Sequence, residues 1–505
     1  MERRLILAIA LSLLILLSWS TFVSKTYHID TKGVTQTASA PIVAKPMPPE
    51  PPAQLTPEPS LSSLWKFSQE KYDLVFYESQ ATIKEVIFKS YQNYVLPLKY
   101  GFLLDGTSLI FQKEDIAPES VNFVYRDKDK QVNKRFVFSQ RDYEINLKVT
   151  VQNLSSQPLP INLSLVLGVL NFVGDPTSVR LQDVTMASKD KITHLNPRKD
   201  ATLSEVKFLG LRERYFCAIA EPTLDNYSGF IKKINAQESE VGLSMGEIML
   251  GPGQQFEHTF HIYLGPQELR QIAAIKPEWT VVMYYGTFDF IAQLLLQLLD
   301  FLYGLVHNWG GVIIILSLVI YLLLYPLTLK QMRSMKKMQA LQPRIQELQK
   351  ACKDNPQKLN KEIMELYREQ KVNPFSGCLP LVLQIPIFFA LYQVLIRSVA
   401  LKGAHFLWIK DLSSPDRLFI LPVSLPILGN EINILPILMT IGMFVQQKIS
   451  MATTTGSAEQ QKLMLILFPL MFGIIFYRMP SGLVLYWFIN STLMLFYQLR
   501  ISRQK

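Results

Sequence analysis

The 505-residue sequence contains only three cysteines and little charge. Cys217, Cys352 and Cys378 are too few and too scattered for a disulfide framework, and they lack the paired spacing of metal ligands. We therefore expect structural thiols, no metal site and no cofactor. Charged residues make up 18% of the chain and the mean hydropathy is positive, which is unusual for a soluble protein of this length and favours membrane spans.

The sequence also lacks the residue patterns of an enzyme. It has no glycine-rich phosphate loop and no nucleophile elbow. His258 and His261 are three residues apart in a predicted strand, which places them on opposite faces. His405 and Asp411 flank the string FLWIK, which is typical of an interfacial anchor. We therefore expect that the protein is not an enzyme.

The basic surplus, a formal net charge of +10, is prominent in the segment 329–374. Acidic residues interleave there at helical spacing: Glu347, Glu362, Glu365 and Glu369. This mixture weakens a nucleic-acid interpretation, and the excess of Lys and Arg is typical of a loop retained in the cytoplasm. We predict a cytoplasmic helical hairpin over 329–374, broken at Asp354, Asn355 and Pro356, and no nucleic acid as a direct substrate.

The chain begins with a basic pair and an apolar run, which predict an uncleaved signal anchor over 1–22 with its start in the cytoplasm. The proline-rich stretch 23–63 is predicted to be an extended linker outside the cytoplasm. From 64 to 275, short alternating runs such as YEINLKVTVQN, separated by turn residues, predict an all-β sandwich domain.

The remaining chain is dominated by hydrophobic segments. In 276–310, apolar residues at helical spacing predict an amphipathic helix on the membrane surface. Five further segments are predicted to span the membrane: 311–328, 379–396, 432–449, 463–478 and 482–499. The predicted fold is therefore an α-helical polytopic membrane protein with six transmembrane helices and an inserted β-sandwich domain. With an even number of spans, both termini lie in the cytoplasm.

Two other features of this region carry predictions. The apolar patch from Leu418 to Leu428 is interrupted by prolines, and we expect an extracytoplasmic interfacial segment there. Arg397 and Arg478 lie at the outer ends of the third and fifth spans, where the ordinary expectation is that they extend to the lipid headgroups.

Several strings in this region resemble the YidC, Oxa and Alb family of membrane-protein insertases. The matching strings, in the family's order, are YPLTLKQMRSMKKMQALQPRIQEL, KVNPFSGCLPLVLQIPIFFALYQVL and MPSGLVLYWFINS. In the β region, TIKEVIFKSY and RYFCAIAEP resemble the periplasmic domain of Gram-negative members. The resemblance implies a five-helix insertase core in the bacterial inner membrane, with a polar groove open to the cytoplasm and the lipid. It also implies nascent membrane proteins, the ribosome, the Sec translocon and the bilayer as partners.

Polar side chains within the predicted spans are the candidates for that groove: Ser317, Tyr321, Tyr325, Gln384, Thr440, Tyr486 and Asn490. Thr328 and Tyr497 extend the same polar faces. The alternative is that these groups make interhelical hydrogen bonds, worth about 0.6 kcal/mol each on average. Tyr321 stands where the family usually has an arginine, so we expect a neutral, hydrogen-bonding groove.

We accordingly expect an insertase and chaperone for integral membrane proteins, acting alone or with the Sec translocon. One alternative is a secondary transporter, although the spans show neither inverted repeats nor a charge for ion coupling. Another is a membrane-anchored periplasmic binding protein, which would leave the polar faces of the spans unexplained. We also expect deletion of residues 64–275 to be largely tolerated, because the insertase core lies elsewhere.

Overall fold

The computed structural model describes residues 64–104, 109–139, 142–352, 355–370, 379–425, 429–451 and 458–503. The predicted anchor, 1–22, and the linker, 23–63, lie outside these residues. The described chain consists of a β-rich region followed by a helical region, and the boundary between them falls between Pro266 and Asp289.

The β-rich region is made of short strands with a five-residue helix, α1 (Pro176–Arg180), between two of them. In chain order the strands are β1 (Leu64–Ser68), β2 (Tyr72–Tyr77), β3 (Thr82–Phe88), β4 (Tyr94–Gly101), β5 (Leu103–Leu104), β6 (Gln112–Ala117), β7 (Ser120–Arg126), β8 (Lys130–Phe138), β9 (Glu144–Asn153), β10 (Leu159–Ile161), β11 (Ser164–Asn171), β12 (Asp183–Ser188), β13 (Ile192–Leu195), β14 (Ala201–Leu203), β15 (Val206–Arg212), β16 (Phe216–Pro222), β17 (Tyr227–Lys233), β18 (Glu238–Met245), β19 (Ile248–Leu250) and β20 (Gln255–Pro266).

These strands pack in two layers. One layer is a nine-stranded sheet in the order β13-β12-β15-β16-β20-β9-β8-β7-β6. The other contains the sheets β1-β2-β3-β4 and β14-β17-β18-β11-β5. Phe88 of β3 stacks on Phe216 of β16 with ring centroids 4.0 Å apart. At Gly229 of β17, an added Cβ would lie 3.0 Å from the Met186 sulfur of β12, so this sheet also packs closely on the nine-stranded one. The predicted β-rich domain is confirmed.

The alternating pattern of the sequence explains how one strand contributes to both surfaces of its sheet. In β9 every second residue is buried, and the residues between them are half-buried. Ile145, Leu147, Val149 and Val151 face the core between the layers. A two-residue side-chain period is what a sheet with one covered face requires.

The connection to the helical region packs tightly on the β-rich domain. After α2 (Leu269–Ile275), the Trp279 ring is fully buried, and its indole N–H donates to Glu221 at 2.6 Å. Lys276 pairs with the other oxygen of the same carboxylate at 2.8 Å. Val282 lies over β15, where a Cβ on Gly210 would come within 2.7 Å of it, so only glycine leaves room there. These contacts fix where the helical region begins.

The helical region consists of long apolar helices and a charged helical hairpin. The helices are α3 (Asp289–Val306), α4 (Trp309–Ala340), α5 (Gln342–Ala351), α6 (Pro356–Glu369), α7 (Leu379–Arg397), α8 (Ile434–Met451), α9 (Ala458–Phe476) and α10 (Ser481–Arg503). Within the described residues, three helical segments are long and apolar enough to cross a membrane: Asp289–Val306, Trp309–Lys330 and Ser481–Arg500. Shorter apolar segments are Gln384–Arg397, Ile434–Ile449 and Leu465–Phe476.

Two features of this region match local signals in the sequence. The helix α6 begins at the predicted break, where the Asn355 side chain accepts a hydrogen bond from the Lys358 backbone N–H at 3.0 Å and Pro356 occupies the first turn. The proline-containing apolar patch after α7 forms a β-hairpin of β21 (Phe419–Leu425) and β22 (Gly429–Ile432).

Candidate substrate groove and its junction with the β-rich domain

Three of the candidate groove residues are connected by two hydrogen bonds, one between α7 and α10 and one within α10. The Gln384 side-chain amide donates to the hydroxyl of Tyr486, which is fully buried. One turn further along α10, the Asn490 amide donates to the Tyr486 carbonyl at 3.0 Å. Gln384 and Asn490 are both half-buried. The structure therefore brings a polar, uncharged group of side chains together between otherwise apolar helices.

A second group of polar side chains lies between α4 and α10. The rings of Tyr321 and Tyr325 are 6.2 Å apart on α4, and Tyr325 meets Tyr497 of α10 edge-on at 5.5 Å. All three side chains are half-buried, so part of each remains accessible. This tyrosine row runs along the side of α4 on which the sequence placed the candidate groove.

The other two candidates bond within their own helices. The hydroxyl of Ser317 is fully buried and donates to the Ile313 carbonyl at 2.7 Å. The Thr440 hydroxyl donates to the Pro436 carbonyl at 2.7 Å, and it lies where a Cβ on Gly473 of α9 would be only 2.4 Å away. Among the described residues, neither hydroxyl bonds to another candidate. Both arrangements are those of close helix packing, which was the alternative interpretation of these polar residues.

The expectation that Arg397 extends to the lipid headgroups is wrong. Arg397 is 7% exposed, and its guanidinium bonds to the β-rich domain. It donates to the Leu181 carbonyl at 2.9 Å and to the Asp183 carboxylate at 3.3 Å. A buried guanidinium needs such partners because an unpaired charge away from water is costly.

Asp183 serves two arginines at once. Arg212 of β15 donates through Nε to Asp183 at 2.9 Å and through Nη2 to the other carboxylate oxygen. The same Nη2 also donates to the Tyr284 carbonyl at 2.6 Å. Burial acts to lower the pKa of Arg212, but the Asp183 carboxylate outweighs it, and the pKa is raised. One carboxylate thus neutralises a buried cation from the β-rich domain and is shared with a second from the end of α7.

A further set of contacts lies beside this cluster. Arg214 donates to the carbonyls of Ile396 and Ser413 at 3.0 and 2.9 Å. The Tyr215 hydroxyl lies 3.0 Å from the Ser413 hydroxyl. Sequence reasoning missed all of these residues as partners of the helices. The string LRERY shows only three consecutive charged residues after an apolar one, and the Ile396 carbonyl that Arg214 binds is 182 positions away.

Comparison with known proteins identifies the class. The family profile described as 60Kd inner membrane protein matches residues 301–505, and the profile described as YidC periplasmic domain matches residues 111–298. The membrane protein insertase YidC of Helicobacter pylori is 33% identical over 556 aligned positions, covering 99% of this chain and 96% of that protein. The one of Syntrophobacter fumaroxidans is 35% identical over 407 positions, covering 77% and 72%.

These matches define an inner-membrane protein that carries a β-rich periplasmic domain ahead of a helical region. The chain belongs to the YidC family of membrane protein insertases, as the resemblance of its sequence implied. A solved structure of an active YidC insertase with its first transmembrane domain resolved covers 86% of this chain and 92% of its own, at 20% identity and a TM-score of 0.40.

Proposed function

We propose that this chain is a membrane protein insertase, and also a chaperone for the folding and assembly of its clients. Its clients are nascent membrane proteins, delivered by the ribosome, and it acts alone or together with the Sec translocon. The names of its relatives support insertion. The observation that carries the proposal is the polar, uncharged set of side chains within the apolar segments of α4, α7 and α10.

The proposed topology has six spans with both termini in the cytoplasm. The segment 1–22 is the anchor, 23–63 the linker, 64–275 the periplasmic domain and 276–310 the interfacial segment. The core, 311–505, contributes five spans, including the apolar parts of α7, α8 and α9. Helices α7 and α9 are each 19 residues long and α8 is 18, close to the about 20 residues that cross the hydrocarbon.

The chemistry of insertion follows from the cost of crossing hydrocarbon. Each unsatisfied peptide group of a translocating loop costs several kcal/mol away from water. The amides of Gln384 and Asn490 and the hydroxyls of Tyr321 and Tyr325 are hydrogen-bonding groups at membrane depth, so they lower that cost. The energy comes from burial of the client's apolar segment, and this chain hydrolyses no nucleotide.

The test uses photo-crosslinking amino acids placed one at a time in the full chain. Probes at Tyr321 and Asn490, which are half-buried, are expected to capture a stalled nascent membrane protein. A probe at Ser317, which lies on α4 but is fully buried, is the matched control and is expected to capture none. Equal capture at all three positions would contradict the groove. Normal insertion of every client after depletion of the protein would contradict the function itself and favour a transporter.

A substitution tests the neutral character of the groove. Tyr321→Arg introduces the charge that the family usually carries at this position, and a charge at membrane depth attracts acidic groups strongly. We expect clients with acidic translocated loops to insert faster in the variant, and clients with neutral loops to be unaffected. Leu323→Arg, at a 72% exposed position of α4 outside the candidate groove, is the control for position. Identical client profiles in the wild type and Tyr321→Arg would remove any role for groove charge.

A further inference from the structure

A cavity of about 640 Å³ lies where the periplasmic domain meets the outer ends of the membrane helices. Its wall on the β-rich side includes Thr177 and Arg180, which belong to the five-residue α1, and Arg214. Its wall on the helical side includes Tyr392 near the end of α7 and Arg478 after α9. The groove proposed above involves none of these residues.

The charge lining this cavity is predominantly positive. Four arginines face two carboxylates there: Arg180, Arg214, Arg417 and Arg478 against Asp175 and Glu431. Both carboxylates have partners of their own. Asp175 accepts hydrogen bonds from the backbone N–H and the hydroxyl of Ser178, each at 2.9 Å, and Glu431 pairs with Arg417 at 2.9 Å.

Arg180 and Arg214 bind neutral groups instead. Arg180 donates to the Tyr392 hydroxyl at 2.6 Å, and Arg214 donates to two backbone carbonyls. Within the described part of the chain, neither has a carboxylate within ion-pair distance. The cavity therefore presents two guanidinium groups that are not directly paired with a carboxylate of the described residues.

The position of the cavity indicates what neutralises them. The residues Ile396, Ile475 and Met479, at the outer ends of α7 and α9, add an apolar edge to the same cavity. An opening that is basic on the periplasmic side and apolar beside the membrane helices matches a phospholipid, whose phosphate lies directly above its acyl chains. Guanidinium groups bind phosphate oxygens in a bidentate manner, and basic pockets between membrane helices bind anionic headgroups.

We propose that this cavity binds the headgroup of an anionic phospholipid of the outer leaflet, with Arg180 and Arg214 contacting the phosphate. A lipid with a net negative charge is favoured over a zwitterionic one, because the amine of the latter would meet the surplus positive charge. The bound lipid would also bridge the periplasmic domain and α7, since Arg180 and Tyr392 line the same site from the two sides.

The experiment is a native mass spectrometry titration of the detergent-solubilised full chain with phosphatidylglycerol and with phosphatidylcholine of the same acyl chains. We expect the wild type to prefer phosphatidylglycerol, and each arginine removed to reduce this preference about fivefold. The test variant is Arg180→Gln with Arg214→Gln. The control, Arg126→Gln with Lys232→Gln, removes the same charge from exposed positions of the β-rich domain. If the double variant unfolds, Arg180→Gln alone replaces it.

Several outcomes overturn the proposal. One is an unchanged lipid preference in the folded cavity variant, and another is an equal loss in the control. Inorganic phosphate that competes with the lipid at equal concentration would assign the site to a free anion. An acidic peptide that displaces phosphatidylglycerol more effectively than phosphate does would assign the site to a client segment. The readout is lipid binding, so it does not depend on whether the groove conducts insertion.

Discussion

Removing the Asp183 carboxylate is the most informative perturbation of the junction between the two regions. Asp183→Asn keeps the shape of the side chain but leaves Arg212, which is 1% exposed, and Arg397, which is 7% exposed, without their shared counter-charge. Breaking a buried ion pair from one side costs about 3–5 kcal/mol. Because the Asp183 side chain is itself 21% exposed, we expect Asp183→Asn to lower the free energy of unfolding by the smaller of these amounts, about 3 kcal/mol.

The variant Arg397→Met provides the internal comparison. It removes one 3.3 Å contact to Asp183 and one hydrogen bond to Leu181, while Asp183 keeps both of its bonds to Arg212. The substitution removes two hydrogen bonds of a charged group, but it also removes the cost of burying that group. We therefore expect the free energy of unfolding to fall by only about 1–2 kcal/mol.

The assay is thermal and denaturant unfolding of the full chain in one detergent, with hydrogen exchange to localise the change. Asp183→Asn should be less stable than Arg397→Met, and both should increase exchange in β12 and at the end of α7. Asp225→Asn is the matched control, since the side chains of Asp225 and its partner Lys189 are 71% and 63% exposed and such a surface ion pair contributes little to stability. If Asp183→Asn is no less stable than Asp225→Asn, the reasoning that assigns the carboxylate a shared structural role fails.

Two other predictions concern the β-rich domain and the helix packing. Burial lowers the pKa of His258 from 6.5 to about 4, so its contribution to stability is lost as the pH falls from 6.5 toward 4. Burial raises the pKa of Glu213 from 4.5 to about 7, so its contribution to stability is lost as the pH rises through that window, which is the opposite direction to His258. The test for His258 is therefore the difference in thermal stability between wild type and His258→Gln, measured in melts at pH 7 and at pH 5. We expect that difference to shrink at pH 5, and a constant difference would contradict the burial argument. Gly473→Ala would place a Cβ 2.4 Å from the Thr440 hydroxyl, and we expect the free energy of unfolding to fall by about 1–3 kcal/mol. Adding Thr440→Ala should relieve this loss, which a double-mutant cycle in thermal unfolding measures.

The periplasmic domain supplies the partners of a buried arginine at the end of α7. Deletion of residues 64–275 was expected to be largely tolerated, because the proposed groove lies in 311–505. Such a deletion also removes the Leu181 carbonyl and the Asp183 carboxylate, which are the partners of Arg397. We expect the deletion to be better tolerated together with Arg397→Met, because the substitution removes the guanidinium that would otherwise lose its partners.

The sequence by itself determined the features that depend on local patterns. Alternation in YEINLKVTVQN predicted a strand with one buried face, and β9 has that burial. The Asn355 and Pro356 pair marked the start of α6, because capping and proline geometry act within one turn. The matching strings from the second span to the last were sufficient to indicate the family, because each is an uninterrupted stretch of sequence that can be compared without knowing the fold.

Tertiary structure alone decided what each polar side chain meets. Helical periodicity placed Ser317 and Tyr321 on one face of α4, yet one is fully buried and the other half-buried, because burial depends on which neighbouring helix covers each turn. The ends of α7 and β12 are brought together across 214 residues, so nothing near Arg397 in the sequence announces Asp183. Ion pairs act over a few ångströms in space whatever the separation along the chain, and only the folded arrangement of sheet and helices creates that proximity.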